Sequence, residues 1–230
     1  MARRGRGWWL PVAILVAVAA AAWYGRDSLR PAPATPSGPV APVSAAGEVA
    51  ADRVDPRNEG RRVRVAGGLR PAAPVRDPQF GISVDALALE RTVEMLQWVE
   101  DCTGGACRHR LEWSARPVDS RGFREPRGHE NPTAFPFESR RFVADDLRLG
   151  AFGVHARAAA QVAARSDHPV RVANLPPNLA ASLRDCDRML CSGSPGRPAA
   201  GDLRIHWRIV PPARVALAGT QRGNRLEPDR

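Results

Sequence analysis

Four cysteines are the most reactive side chains of the sequence, and they fall into two pairs of equal spacing: Cys102 with Cys107 in CTGGAC, and Cys186 with Cys191 in CDRMLC. Two chemistries suit that pattern. Outside the cytoplasm, an even count of closely spaced cysteines forms disulfides, and Gly104 and Gly105 let the first loop turn tightly enough to close. Close cysteine pairs can also hold a tetrahedral zinc ion. Disulfides are the favoured reading, because the N-terminal segment directs this part of the chain out of the cytoplasm and no further ligands lie nearby in sequence. A c-type haem is excluded: four residues separate the members of each pair, and neither second cysteine is followed by histidine.

His129 and Glu130 in GHENP raise a second chemistry, metal-assisted hydrolysis. The helical zinc motif requires another histidine four residues on, but Thr133 stands there and Pro132 interrupts any helix. Gly128, Asn131 and Pro132 read instead as a turn in which His129 or Asn131 hydrogen-bonds local backbone. His109, His155 and His168 read as isolated surface residues, and His206 falls on the polar face of a strand pattern. Gly193-Ser194-Pro195-Gly196 lacks the spacing of a nucleophile elbow. Asp145-Asp146, and Glu94 with Glu100, read as solvated charge. All 34 basic residues are arginine. Without lysine there is no Walker-type phosphate loop, no Schiff base and no Ser–Lys dyad. The expectation is a non-enzymatic protein without catalytic residues, metal or cofactor.

The formal net charge of +10 raises nucleic acid or anionic lipid as partners. The arginines are scattered singly or in pairs with few interleaved aromatics, so nucleic acid is not expected.

The elements that would carry these residues begin with an apolar run. Trp8 to Tyr24 is seventeen residues without a charge, bounded by Trp8, Trp9, Trp23 and Tyr24. At about 1.5 Å per residue it spans most of a roughly 30 Å hydrocarbon core. Arg3, Arg4 and Arg6 precede it, and the positive-inside bias puts residues 1–7 in the cytoplasm. The alternative is a signal peptide cleaved near Ala20-Ala21-Ala22. Residues 25–48 are a Pro/Ala-rich spacer, and residues 49–230 form the exported domain. Leu203, Ile205, Trp207 and Ile209 alternate with Arg204, His206 and Arg208, as in a half-buried strand. Val63 and Val65 alternate likewise, as do Val215 and Leu217. Leu87 to Val99 fits one long strand, with Leu89, Val93 and Leu96 also fitting a helical face. Val154 to Arg165 is the best helix candidate. The expected fold class is α+β, a strand-dominated exported domain behind one N-terminal transmembrane helix.

Four blocks then carry a resemblance: VDPRNEGRRVRVAG (Val54 to Gly67), DPQFGISVDALALERTVEMLQWVE (Asp77 to Glu100), RGFREPRGHENPTAFPFES (Arg121 to Ser139), and GDLRIHWRIV followed by QRGNRLEP (Gly201 to Pro228). In order and spacing they resemble the transmembrane protein 43 (LUMA) family of animal endoplasmic-reticulum and inner-nuclear-envelope proteins with bacterial relatives. The resemblance implies that Asp55, Glu59, Gly60, Asp77, Pro78, Gly81, Glu94, Gln97, Trp98, Glu100, Gly128, His129, Asn131 and Pro132 are structural motif residues. It also implies a membrane protein with a lumenal or periplasmic domain, and a scaffold that organises membrane complexes. Its partners would be the lipid bilayer and other membrane proteins; homo-oligomerisation stays open. The family pattern adds spans beyond Arg230, so the expectation is a bacterial-type member that lacks them. The cysteine pairs lie outside the matching blocks and look like a lineage-specific addition.

Overall fold

The structure, a computed structural model, describes residues 47–194 and 196–228. The apolar run from Trp8 to Tyr24 and residues 1–46 of the expected tail and spacer lie outside the described residues. Along the chain come β1 (Gly47–Val49), β2 (Arg62–Pro71), β3 (Val75–Asp77), β4 (Ile82–Val84), β5 (Ala88–Thr103), β6 (Ala106–Ser114), β7 (Arg140–Val143) and β8 (Asp146–Leu149). They are followed by β9 (Phe152–His155), β10 (Ser166–Asp167), β11 (Arg184–Cys186), β12 (Met189–Cys191), β13 (Leu203–Val210), β14 (Ala213–Arg222) and β15 (Arg225–Glu227).

Two sheets dominate. In the first, β2 pairs with β14, β14 with β15, β15 with β9, β9 with β8, and β8 again with β2, which closes a five-stranded barrel. Closure removes the unpaired edges that an open sheet exposes. The sequence supports it through strict alternation in β2, where Val63, Val65 and Leu69 point inward and Arg64, Ala66, Gly68 and Arg70 outward. Two glycines make the tight approaches. At Gly219 a Cβ would lie 2.2 Å from the Glu227 carbonyl oxygen, so only glycine lets β15 fold back onto β14. At Gly150, in the β8–β9 turn with φ +62°, a Cβ would lie 2.0 Å from the Ala51 carbonyl oxygen. That same oxygen accepts a 2.7 Å hydrogen bond from the Ala151 amide, which fixes the segment after β1 to the barrel.

The second sheet runs β11-β12-β13-β5-β6, with β10 added to β13 and β7 to β5. Pro211 and Pro212, which cannot donate ladder hydrogen bonds, separate β13 from β14 and pass the chain from one sheet to the other. One continuous apolar core, including Leu89, Met95, Leu149, Phe152, Leu190 and Ile205, serves both sheets.

The α+β expectation is overturned. Strand accounts for 48% of the structure and helical segments for 10%, and the domain is a β fold built on a barrel. Val154 to Arg165 is not a helix: Val154 lies in β9, which ends at His155, and the chain then makes a 3-10 turn over Ala156–Gln161. The competing force is tertiary, since Val154 pairs with Leu147 and Leu226 to close the barrel, overriding the helix propensity of the alanines. No helix among the described residues is long and apolar enough to cross a membrane.

Gly150→Ala is expected to destabilise the domain by at least about 2 kcal/mol, combining a left-handed backbone with a collision at Ala51. Gly68→Ala, whose Cβ would meet nothing within 4 Å, should stay within about 0.5 kcal/mol of the parent. Urea unfolding of both variants checks this.

Candidate functional site

The motif residues gather in three places. The deepest is a buried ion pair. Asp77, at the end of β3, is 0% exposed, and Arg91, on the inward face of β5, is 4% exposed. Arg91 Nη1 donates to both carboxylate oxygens, at 2.9 Å to Oδ1 and 2.8 Å to Oδ2. Trp207 Nε1 on β13 donates to Asp77 Oδ2 at 3.1 Å, and Arg91 Nε donates to the Glu138 carbonyl oxygen at 2.9 Å. Aromatic rings enclose the pair: the Arg91 guanidinium lies 4.7 Å over Phe80, and Phe80 makes edge contacts with Trp207 and Phe137 at 5.0 and 5.2 Å. Burial pulls the Arg91 pKa down from its ordinary value, and the Asp77 charge opposes that shift. Pro78 and Gly81 bound the turn that returns β3 to β4, with Gly81 at φ +68°.

The second place is a strap over the β5–β6 hairpin. Asn131 behaves as an extra piece of strand. Its Oδ1 accepts from the Trp98 amide at 2.7 Å, and its Nδ2 donates to the carbonyl oxygens of Trp98 and Val118 at 2.9 and 3.2 Å. Gln97 does the same from below, accepting from the Val118 amide at 2.8 Å and donating to the Arg116 carbonyl oxygen at 2.9 Å. Glu100 accepts from the amides of Arg124 and Glu125 at 2.8 and 3.0 Å, and His109 Nε2 meets its Oε1 at 3.0 Å. His129 stacks on His109, with ring centroids 3.6 Å apart and planes 8° from parallel, and sits edge-on to Trp98 at 4.8 Å. Gly128, at φ +81°, begins this turn, and Pro132 lies against Gly201, whose Cβ would come within 3.2 Å of its ring.

The third place latches the barrel. The Gln221 side chain donates to the Asp55 carbonyl oxygen at 2.8 Å, the Gly60 amide donates to the Gln221 carbonyl oxygen at 3.0 Å, and Glu59 Oε2 accepts from the Gly223 amide at 2.8 Å. Asp55 also caps the 3-10 turn Pro56–Asn58 through the Arg57 amide. Glu94 stands apart from all three: it pairs with Arg204 on β13 at 2.5 Å, where Arg204 also covers Trp113.

The cysteines are disulfides. Cys102 bonds Cys107 and Cys186 bonds Cys191, each within its own hairpin. The sole cluster of three ligand-type side chains among the described residues is Glu100, Cys102 and Cys107. Its two sulfurs are bonded to each other, so it offers no thiolate to zinc.

The turn expected at GHENP is present: His129 Nδ1 meets the Glu125 carbonyl oxygen at 3.2 Å, the local backbone contact read from sequence, whereas Asn131 reaches out to strand β5. His109, read as an isolated surface residue, is buried in the strap with its side chain 7% exposed. His155 caps the turn after β9 through the Arg157 amide, and His206 lies half-buried on β13 opposite Thr92. The sequence reading missed Arg91, Trp207, Gln221 and the buried Ser120, whose Oγ accepts from the Asn131 amide at 2.9 Å. The signal for Arg91 was present: it occupies an inward position of the alternation Leu89, Arg91, Val93, where a charge demands a buried partner.

Fold and site together define a β-barrel domain with a second sheet strapped to its own loops by side-chain-to-backbone hydrogen bonds. The chain belongs to the Transmembrane protein 43 family, whose model matches residues 95–229, more than half of its length. It is 29% identical to Transmembrane protein 43 of Rattus norvegicus over 197 residues, covering 76% of this chain and 49% of that protein. The Homo sapiens protein is 28% identical over the same length and coverage. The Drosophila melanogaster homolog is 35% identical over 108 residues, 41% of this chain and 29% of the fly protein. The chain thus spans about half the length of the mammalian relatives it matches. No solved structure matches it.

The Arg124 amide, then the Glu125 amide and His109, hold the Glu100 carboxyl below its ordinary 4.5 against desolvation. As pH falls, the unfolded chain takes up this proton before the folded one does. Glu100 therefore contributes stability that is complete above pH 4.5 and lost as pH drops through the folded-state value. Glu100→Gln should flatten the loss of thermal stability as pH falls below 4.5 relative to the parent. Parallel slopes in melts of the two proteins would contradict the assignment.

Proposed function

We propose that this chain is a non-enzymatic scaffold or interaction protein of a membrane, with its β domain on the periplasmic or lumenal side and protein partners in the same membrane. The observation that carries the reading is how the motif residues are used. Asp77, Gln97, Glu100 and Asn131 each hold backbone or a buried partner of their own chain. Side chains so engaged preserve a shape rather than await a substrate. The two disulfides support an oxidising compartment, and membership in a family named for a transmembrane protein supports the membrane.

Crosslinking with mass spectrometry in membranes of the source cell, using the full chain, tests the proposal. The expected result is a small set of membrane proteins recovered repeatedly with crosslinks to the β domain. Recovery of nonspecific neighbours alone, or stoichiometric zinc that His129→Ala removes, would argue against scaffolding and for the metal-dependent hydrolase.

A further inference from the structure

The outer face of the barrel carries an arrangement that its own chain leaves unbalanced. In the β2–β8 ladder Arg70 stands directly opposite Arg148. In the β2–β14 ladder Arg214 stands opposite Gly68, one position along the same face from Arg70. All three arginines are exposed. Like charges directly opposite each other on neighbouring strands destabilise a sheet, and here the paired Cα atoms are only about 5 Å apart. Carboxylates do not relieve the repulsion: among the described residues none of the three guanidiniums has a hydrogen bond or ion pair to one. Asp146, beside Arg148 on β8, faces Arg225 at 3.9 Å. Glu48 lies across the ladder from Arg64, further along β2.

The space beside Arg70 and Arg214 is shaped as well as charged. Gly68, Leu69, Arg70, Gly150, Pro212, Ala213 and Arg214 surround a hollow of about 480 Å³. Gly68, Gly150 and Ala213 add little side-chain bulk to its lining, and a Cβ at Gly68 would meet nothing within 4 Å. A tetrahedral oxyanion entering the hollow would meet Arg70 and Arg214, which line it, and by neutralising Arg70 would ease its repulsion with Arg148 across the ladder.

We propose that Arg70, Arg148 and Arg214 form a phosphate-recognition site for anionic phospholipid headgroups, and that through it the outer face of the barrel rests on the membrane surface. A lipid surface fits better than a soluble phosphate compound for two reasons. The arginines project from an open sheet face rather than into an enclosed cleft. The chain also belongs to a membrane-protein family and has a net charge of +10, which attracts anionic bilayers generally. The choice of lipid rests on the membrane placement proposed above; the anion site itself rests on the arginines alone.

The test uses the full chain in a nonionic detergent, titrated separately with dioctanoyl phosphatidylglycerol, dioctanoyl phosphatidylcholine and inorganic phosphate, with binding followed by calorimetry. Phosphatidylglycerol should bind at least about tenfold more tightly than either other probe, and its affinity should fall several-fold between about 50 and about 500 mM salt. The triple variant Arg70→Gln, Arg148→Gln, Arg214→Gln should lose about tenfold or more of that affinity. A control triple at Arg57, Arg121 and Arg188, exposed elsewhere, should retain it. The single variant Arg214→Gln, at an exposed position lining the hollow, gives the same readout if the triple is unstable. Unchanged binding in the variants, or an equal loss in the control, overturns the site. Inorganic phosphate binding as tightly as the lipid overturns the membrane source. Neither outcome depends on whether protein partners are recovered by crosslinking.

Discussion

The buried pair of Asp77 and Arg91 is the interaction on which the rest of the structure depends. Removing two charges from water costs several kcal/mol per ion, and mutual attraction offsets that cost only when the remaining donors and acceptors are also satisfied. Here they are. Both carboxylate oxygens accept, one of them twice, and the guanidinium donates onward to the Glu138 carbonyl oxygen. Because the partners come from different segments, the pair is satisfied only when the β3–β4 hairpin, β5, β13 and the loop leading into β7 are all in place. A one-residue slip of β5 would turn Arg91 to solvent and leave Asp77 buried without a counter-charge.

Much of this was legible in the sequence, and the reasons for success and failure are physical. The β13 alternation survives folding because both faces of that strand keep consistent neighbours, Leu190 and Val93 on the buried side and the polar Glu94 and Thr92 on the half-buried other. The long strand at β5 was visible for the same reason. The helix expected at Val154 was not there because local propensity is a fraction of a kcal/mol per residue, weaker than barrel closure. The straps were invisible because a hydrogen bond from Asn131 to Trp98 spans 33 residues, and nothing in the composition of GHENP announces a partner in VEMLQWVE.

Once folded, those two motifs become one object. VEMLQWVE supplies Gln97, Trp98 and Glu100 on the hairpin, and GHENP supplies His129 and Asn131 above it. VDPRNEG and QRGNRLEP meet in the same way through Asp55, Glu59, Gly60 and Gln221. The most distinctive residues of the chain therefore brace loops against strands. What is left to face other molecules is the outer surface, and on β2 and β14 of the barrel that surface is mainly arginine, alanine and glycine.

The central claim is that Asp77 and Arg91 act as one register-fixing unit. The most direct measurement is a double-mutant cycle in urea on the disulfide-intact full chain, with Asp77→Leu, Arg91→Met and both together, monitored by tryptophan fluorescence. If the pair is such a unit, each single substitution strands a buried charge and costs about 3 to 5 kcal/mol, while the double variant is more stable than either single. Single costs below about 1 kcal/mol, or costs that simply add in the double variant, would contradict it.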